Sequence, residues 1–196
     1  CKYAKIETSR QWYTSMCAPV QKIKFTFNKQ KAIETILFFA NAREDRLSVM
    51  HMLKFIYYAD VFHLNKYDRP IIGDSYYAMK NGPVASHTYD ILKATCVDYK
   101  IKPEGYIKKI IPLRQPDLDY FSDTDIEIME FVLEKFKDFN AEQMSIETHK
   151  TKAWKNAWDK KSFIAKQSEM NYEDFLDSVD PNKIKYLKEC GELMVF

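Results

Sequence analysis

The chain has 196 residues, of which 46% are hydrophobic and 30% are charged, with a formal net charge of +2. A chain of this length can bury about 70% of its unfolded surface in one domain, and no apolar run approaches the roughly 18 residues that a membrane span requires. These properties predict a soluble globular protein and argue against a membrane protein. The first residues lack the apolar segment of a secretory signal, so we expect a cytoplasmic location.

Charges of opposite sign are segregated along the chain. Residues 1–31 carry six Lys and one Arg against one Glu, whereas residues 117–147 carry ten acidic residues against two Lys. Residues 149–166 then carry six Lys against one Asp. Such blocks can attract a charged partner, or they can neutralise one another within the fold.

The first predicted elements are two helices. Residues 1–26 have no sustained hydrophobic period, and we interpret them as an N-terminal extension whose aromatic residues dock on the main body. From Asn28, a candidate N-cap, apolar residues recur at helical spacing until the charged residues that follow Ala40. A second stripe predicts a helix from about Ser48 to Leu64, and Asp60 lies within that stripe.

Asp60 needs a partner, because a carboxylate on an apolar helix face is destabilising unless it is paired or hydrogen-bonded. We expect it to anchor the following loop through the loop's backbone, through Arg69 or through Lys80. The alternative is an acid/base or metal site, in which Asp60 and His63 lie at i and i+3 on one helix face. The candidates for that site are Asp60, His63, Asp74 and His87.

Few features of the sequence favour catalysis or a bound metal. Nucleotide-binding loops, zinc-protease motifs and nucleophile elbows are absent. The cysteines are widely separated and lack the spacing of zinc ligands, so we expect reduced thiols at Cys1, Cys17, Cys96 and Cys190. The sequence therefore predicts a binding protein without a metal or cofactor.

A short strand follows the second helix. The segment "SYYAM" at residues 75–79 alternates tyrosines with smaller residues, and it lies between Gly73 and Gly82, two of only four glycines in the chain. Asn81 and Gly82 predict a turn, and Pro83 removes a backbone donor. We expect the glycines to let both strand ends bend sharply and to hold the residues between them on a rigid rim. We expect Ser86 to cap the next helix.

The second half of the chain is predicted to be mainly helical. Residues 106–113 resemble a second strand that pairs with the first, limited by nearby prolines. Ser122 and Asp125 approximate a capping box that opens a helix with an acidic outer face. A further helix is expected after Asn140, and residues 171–196 are expected to form a C-terminal extension that docks on the domain. The predicted fold is a compact multi-helix domain, mainly α with a small β-sheet.

Lysines and tryptophans are interleaved after the acidic helix. Trp154 and Trp158 lie four residues apart, which places both rings on one face of a helix. Nearby lysines at 150, 152, 155, 160, 161 and 166 leave a nucleic-acid-binding regulator open as an alternative function. Core packing is the simpler role for the tryptophans.

Three stretches in this order resemble the Panacea domain, the SocA-like family of bacterial and phage-borne antitoxins. The first is the long segment "LKFIYYADVFHLNKYDRPIIGDSYYAMKNGPVASHTYDIL", the second is "FSDTDIEIMEFVLEKF", and the third is "THKTKAW". The likeness covers roughly residues 27–165 and suggests a Panacea domain at 27–170. The motif positions are Asp60, His63, Arg69, Pro70, Gly73, Asp74, Gly82, Pro83, Ser86, His149 and Trp154.

The resemblance implies an antitoxin that binds a protein toxin encoded nearby, either by direct complex formation or as an adaptor that delivers the toxin to a cellular protease. A phage-encoded anti-defence or interaction protein is a further alternative. Aromatic side chains beside charged ones are typical of interface anchors. The residues predicted to contact the partner are Tyr76, Tyr77, Lys80 and Asn81, together with the N-terminal extension and the acidic helix face.

Overall fold

The computed structural model describes residues 22–43 and 47–194. Within these ranges the chain forms seven α-helices and five short strands. The helices are α1 (Lys29–Ala42), α2 (Val49–Tyr67), α3 (Ser86–Lys93), α4 (Asp123–Lys135), α5 (Ala141–His149), α6 (Lys152–Asp159) and α7 (Pro181–Cys190). The strands are β1 (Tyr76–Met79), β2 (Gly82–Ala85), β3 (Tyr99–Glu104), β4 (Ile107–Pro112) and β5 (Ser168–Glu169). The predicted mainly α fold with a small amount of sheet is confirmed.

Helix α2 is the centre of the fold. Residues 51–60 are all buried, as expected for a helix that other elements surround on every side. The helix packs against α1, α4, α5 and the β1–β2 hairpin. Ser48 caps its N-terminus by accepting a hydrogen bond from the His51 amide, and Asp68 ends it in a left-handed conformation with φ of 59°. The predicted helix is confirmed and extends three residues beyond Leu64.

The predicted pairing of the first strand with residues 106–113 is wrong. Strand β1 instead forms a tight antiparallel hairpin with β2, in which Met79 pairs with Gly82, and its other edge pairs with β5. A two-residue turn joins neighbouring segments at a small entropic cost, which favours this pairing over a distant one. Pro83 is tolerated in β2 because that strand lies at the edge of the sheet. Residues 107–112 pair with β3 to form a separate two-stranded sheet.

The segment around the tryptophans is two helices. Helix α5 begins directly after Asn140, as predicted, and the side chain of Asn140 caps it by accepting from two amides of the first turn. It ends at His149, and Thr151 then caps α6 by accepting from the amide of Trp154. Trp154 and Trp158 do share one face of α6, with ring centroids 5.1 Å apart and ring planes 14° apart.

Both predicted extensions contribute described residues to the core. Ile23 is buried at one end of the chain, and Tyr172 and Phe175 are buried at the other. The ring of Phe25 meets that of Tyr172 edge to face, with centroids 4.8 Å apart. The division at residues 26 and 170 stays a prediction, and Trp12 and Tyr13 lie outside the described residues, as do Cys1 and Cys17. No helix in the described ranges has both the length and the apolar character needed to span a bilayer.

Candidate functional site

Asp60 anchors the loop that leads into the β1–β2 hairpin. Its carboxylate accepts hydrogen bonds from the amides of Ile71 and Ile72, at 2.8 and 3.0 Å, and from the Tyr76 hydroxyl at 2.9 Å. Complete burial raises the pKa of Asp60 to about 6. Anchoring through the loop backbone is therefore confirmed. Arg69 is not the partner of Asp60, since its Nη1 atom lies 3.1 Å from Oδ1 of Asp125. The side-chain partner of Asp60 is Tyr76, which we had expected at the surface.

Asp74 performs the capping role that the sequence assigned to Ser86. The Asp74 carboxylate accepts from the amides of His87 and Thr88 in the first turn of α3, at 3.0 and 2.8 Å. Ala85 occupies the N-cap position without a side-chain hydrogen bond, and Ser86 is already helical. The prediction for Ser86 is wrong because a carboxylate from the preceding loop satisfies the same amides.

His63 pairs with Asp125, which is 0% exposed, and not with Asp60. The Nε2 atom of His63 lies 3.1 Å from Asp125 Oδ1, and its Nδ1 lies 2.7 Å from the carbonyl oxygen of Arg69. Lys31 donates to the other carboxylate oxygen at 2.7 Å. Burial raises the pKa of Asp125, but hydrogen bonds from His63 and Lys31 outweigh this effect and hold it below its usual range.

The four candidates for an acid/base or metal site are thus divided among three separate structural roles. Asp60 binds the loop, His63 binds Asp125, and Asp74 lies with its Oδ1 atom 2.8 Å from Nδ1 of His87. Within residues 22–43 and 47–194, no three His, Cys, Asp or Glu side chains come together in a way that could hold a metal ion.

An open groove of about 400 Å³ lies beside the β1–β2 turn. Its walls come from the N-terminal part of α2, from both hairpin turns, from α3 and from the start of α5. Several side chains at its edge are exposed although they are large and apolar, including Tyr106 and Ile107 at 109% and 52% exposure. Residues at its edge include Met50, Lys80, Asn81, Tyr89, Tyr106 and Ile107.

Two of the four residues predicted to contact a partner, Lys80 and Asn81, line this groove. Tyr76 does not, since its side chain is 1% exposed and belongs to the core. Tyr77 is half-buried on β1 and is not part of the lining. Tyr106 was not among the predicted contact residues, although Gly105 between two strand-like runs was a signal for a second hairpin turn.

Lys54 forms part of the groove wall and is almost completely buried. Its side chain is 1% exposed, and its ammonium donates to the carbonyl oxygen of Pro83 at 2.7 Å. Burial lowers the pKa of Lys54 to about 7. The neighbouring Gly82 has φ of +96°, and a β-carbon there would lie 3.0 Å from the Lys54 ammonium. The turn is therefore closely fitted around this lysine.

We expect the lysine-to-methionine variant Lys54→Met to change how stability depends on pH. The ordinary pKa of 10.5 falls to about 7 in the folded chain, so between these values the unfolded chain binds more protons. Lys54 therefore makes stability rise with pH between 7 and 9, by up to about 1.4 kcal/mol per unit. Urea unfolding at several pH values should show that this rise becomes smaller in the variant.

The control for this experiment is Lys102→Met, which removes an exposed lysine from β3. The stability of Lys102→Met should depend on pH in the same way as that of the parent chain. Equal pH dependence in Lys54→Met and the parent chain would show that the buried amine is not the source of the effect.

The remaining motif residues lie beside the β1–β2 hairpin or in the loop that leads into it. The indole Nε1 of Trp154 donates to the carbonyl oxygen of Met79 at 3.0 Å, and the ring of His149 lies 4.1 Å from the indole ring. Burial and the charge of Lys54 lower the pKa of His149. Pro70 is buried and Gly73 has φ of 68° in the loop that Asp60 anchors.

The lysine-rich surface gives little support to nucleic-acid binding. Trp154 is committed to the hairpin carbonyl and to stacking with Trp158, so its ring does not stand free for a base. Lys150 pairs with Glu147 at 2.6 Å, and Lys161 donates to the carbonyl oxygen of Ala165 at 2.7 Å. Part of this positive charge is thus satisfied within the fold.

Comparisons with known proteins give one match. The family model described as antitoxin SocA-like, Panacea domain, matches residues 52–155. Neither the curated proteins nor the solved structures that were searched contain a match. The matched segment is more than half of the chain and contains the anchored loop, both hairpins and the start of α6 with Trp154. The chain therefore belongs to the SocA-like, Panacea-domain family of antitoxins.

Proposed function

We propose that the protein is an antitoxin that neutralises a protein toxin by binding it directly, without a chemical reaction. The family points to a protein partner. The observation that carries the proposal is the groove between the two hairpin turns, where large apolar side chains are exposed around a preformed hollow.

The composition of the groove suits a protein partner. Aromatic residues and methionine are enriched in interface cores, and the energy of binding is concentrated in a few such anchors. Tyr89, Tyr106 and Met50 are at least 36% exposed at its edge. An exposed cluster of this kind gains free energy when a partner removes it from water.

One wall of the groove is also held in place before a partner arrives. The β1–β2 turn is fixed from below, because Asn81 offers its carbonyl oxygen to the Ser145 hydroxyl at 2.8 Å and Lys54 binds the carbonyl of Pro83. A preorganised surface loses less conformational entropy on binding, which favours affinity. This wall therefore needs no rearrangement when a partner binds.

Co-expression with the toxin tests the proposal. The toxin is taken to be the product of a neighbouring toxic open reading frame, and growth is measured with each antitoxin variant. We expect the parent chain to restore growth and the double variant Tyr106→Ala/Ile107→Ala to bind at least about tenfold more weakly and to lose protection. Both side chains are exposed, so the melting temperature should change little.

The matched control removes another exposed apolar pair, in Phe163→Ala/Ile164→Ala. These side chains are 100% and 91% exposed and lie away from the groove lining, so this variant should protect as well as the parent. Loss of protection in the control alone would assign toxin binding to a different surface. Failure of the parent chain to protect against the neighbouring gene product would contradict the antitoxin function itself.

The amount of toxin separates direct neutralisation from delivery to a protease. With direct binding, toxin abundance stays constant or rises during protection, and the two proteins co-purify. A fall in toxin abundance that a protease-deficient host prevents would favour the adaptor mechanism.

A further inference from the structure

The groove carries a net positive charge. Among the described residues that line it, three are lysines and none is acidic. Two of them, Lys80 and Lys108, are exposed, whereas Lys54 is buried in the wall. The other described lining residues are mostly apolar, so the site combines positive charge with a hydrophobic surface.

Lys54 lacks an ionic partner within the described parts of the chain. Its acceptor is the carbonyl oxygen of Pro83, and burial accounts for the shift of its pKa with no contribution from a described carboxylate. The buried lysine of α1 provides a comparison, since Lys31 is equally shielded but binds Asp125 at 2.7 Å. An unpaired buried charge is destabilising, and a carboxylate placed beside it would recover part of that free energy.

We propose that the groove binds an acidic, apolar segment of the toxin and that the charge of Lys54, buried in the groove wall, stabilises a carboxylate of this segment. The inference rests on the proposed function and names the chemistry of its partner. A carboxylate in the groove would be attracted by the buried ammonium in the wall, neighbouring apolar side chains would cover Met50 and Tyr89, and the exposed lysines would attract the segment by their charge.

A nucleic acid fits the same groove less well. Proteins that bind nucleic-acid strands use basic grooves that follow several phosphates along the backbone. This groove has two exposed lysines, no arginine among its described lining residues and a largely apolar wall. Its volume of about 400 Å³ is at the lower end of the range for ligand pockets and suits a short peptide segment.

Peptides test the inference without the toxin. The probes are pentapeptides with a central Glu flanked by Leu, Phe, Tyr or Met, each compared with the same peptide carrying Gln. We expect the best Glu peptide to bind at least about tenfold more tightly than its Gln counterpart, as measured by fluorescence polarisation. In Lys54→Met, the preference for Glu should disappear, whereas in Lys102→Met it should persist.

Three outcomes of the affinity measurements with the peptides would overturn the inference. They are equal affinity for the Glu and Gln peptides, an unchanged Glu preference in Lys54→Met, and no binding tighter than about 1 mM. Tighter binding of a single-stranded oligonucleotide that displaces the peptides would also overturn it and would favour a nucleic-acid partner. Protection in the growth assay without a Glu preference would contradict this inference alone. A Glu preference without protection would contradict the toxin as the partner.

Discussion

Replacing Asp125 by alanine should lower the free energy of unfolding by about 3–5 kcal/mol, the usual effect of removing one partner from a buried ionic cluster. The substitution leaves the buried Lys31 without its carboxylate and removes a partner from both His63 and Arg69. It also removes half of the capping box that starts α4. Urea unfolding monitored by circular dichroism would measure the change.

Asp123→Ala is the matched control, because Asp123 lies on the same helical turn but is exposed. Asp123→Ala should lower the free energy of unfolding by about 0.3–1 kcal/mol, the usual effect of removing an acidic residue from the first turn of a helix. A similar loss in both variants would show that the cluster around Asp125 contributes no more than helix electrostatics. The low pKa of Asp125 adds a second signature, since its contribution is present above the ordinary value of 3.8 and is lost as the pH falls below it.

The second large effect is expected for Gly82→Ala. Backbone strain and overpacking together should lower the free energy of unfolding by about 2–5 kcal/mol. Gly82 has φ of +96°, a conformation that alanine rarely adopts, and a β-carbon would lie 2.5 Å from the Thr148 hydroxyl oxygen. Helix α5 and the hairpin would have to separate to admit the methyl group. Thermal and urea unfolding would both detect the loss.

Gly105→Ala separates strain from crowding. Gly105 also has positive φ, at +61°, but a β-carbon there would meet nothing within 4 Å. Gly105→Ala should lower the free energy of unfolding by about 1–2 kcal/mol, the penalty of the left-handed conformation alone. If Gly82→Ala were no more destabilising than Gly105→Ala, the close approach of the hairpin to α5 would contribute nothing to stability.

Helix starts were predictable because capping is local. Asn28, Ser48, Ser122 and Asn140 each bond to an amide two or three residues away, so a short window of sequence contains the whole interaction. A local cap did not predict the start of α3 correctly. Its capping carboxylate, from Asp74, comes from a loop that precedes a complete hairpin.

Strand pairing and the inward side of α4 depended on distant parts of the chain. Strand β1 pairs with β5, about ninety residues later, and a two-residue strand has almost no signal of its own. Asp125 belongs to an acidic helix, but its partners Lys31, His63 and Arg69 lie on other elements and hold it on the inward side. Neither arrangement follows from local periodicity.

The candidate site was predicted in part. Lys80 and Asn81 could be placed at an exposed turn by the glycine and proline beside them. Lys54 could not be singled out, because a lysine among the apolar residues of a helix normally extends its ammonium to water. Its burial follows from the β1–β2 hairpin lying over it, which is a tertiary contact.

The two walls of the groove differ in how firmly they are attached to the rest of the molecule. The β1–β2 turn is bound to α2 and α5 through its main-chain carbonyl oxygens, so its position does not depend on the exposed side chains that it carries. The β3–β4 turn projects from the body, with Tyr106 fully in solvent and open space around Gly105. Substitutions at this projecting tip would therefore change the chemistry of one groove wall and leave the packing of the other wall unchanged.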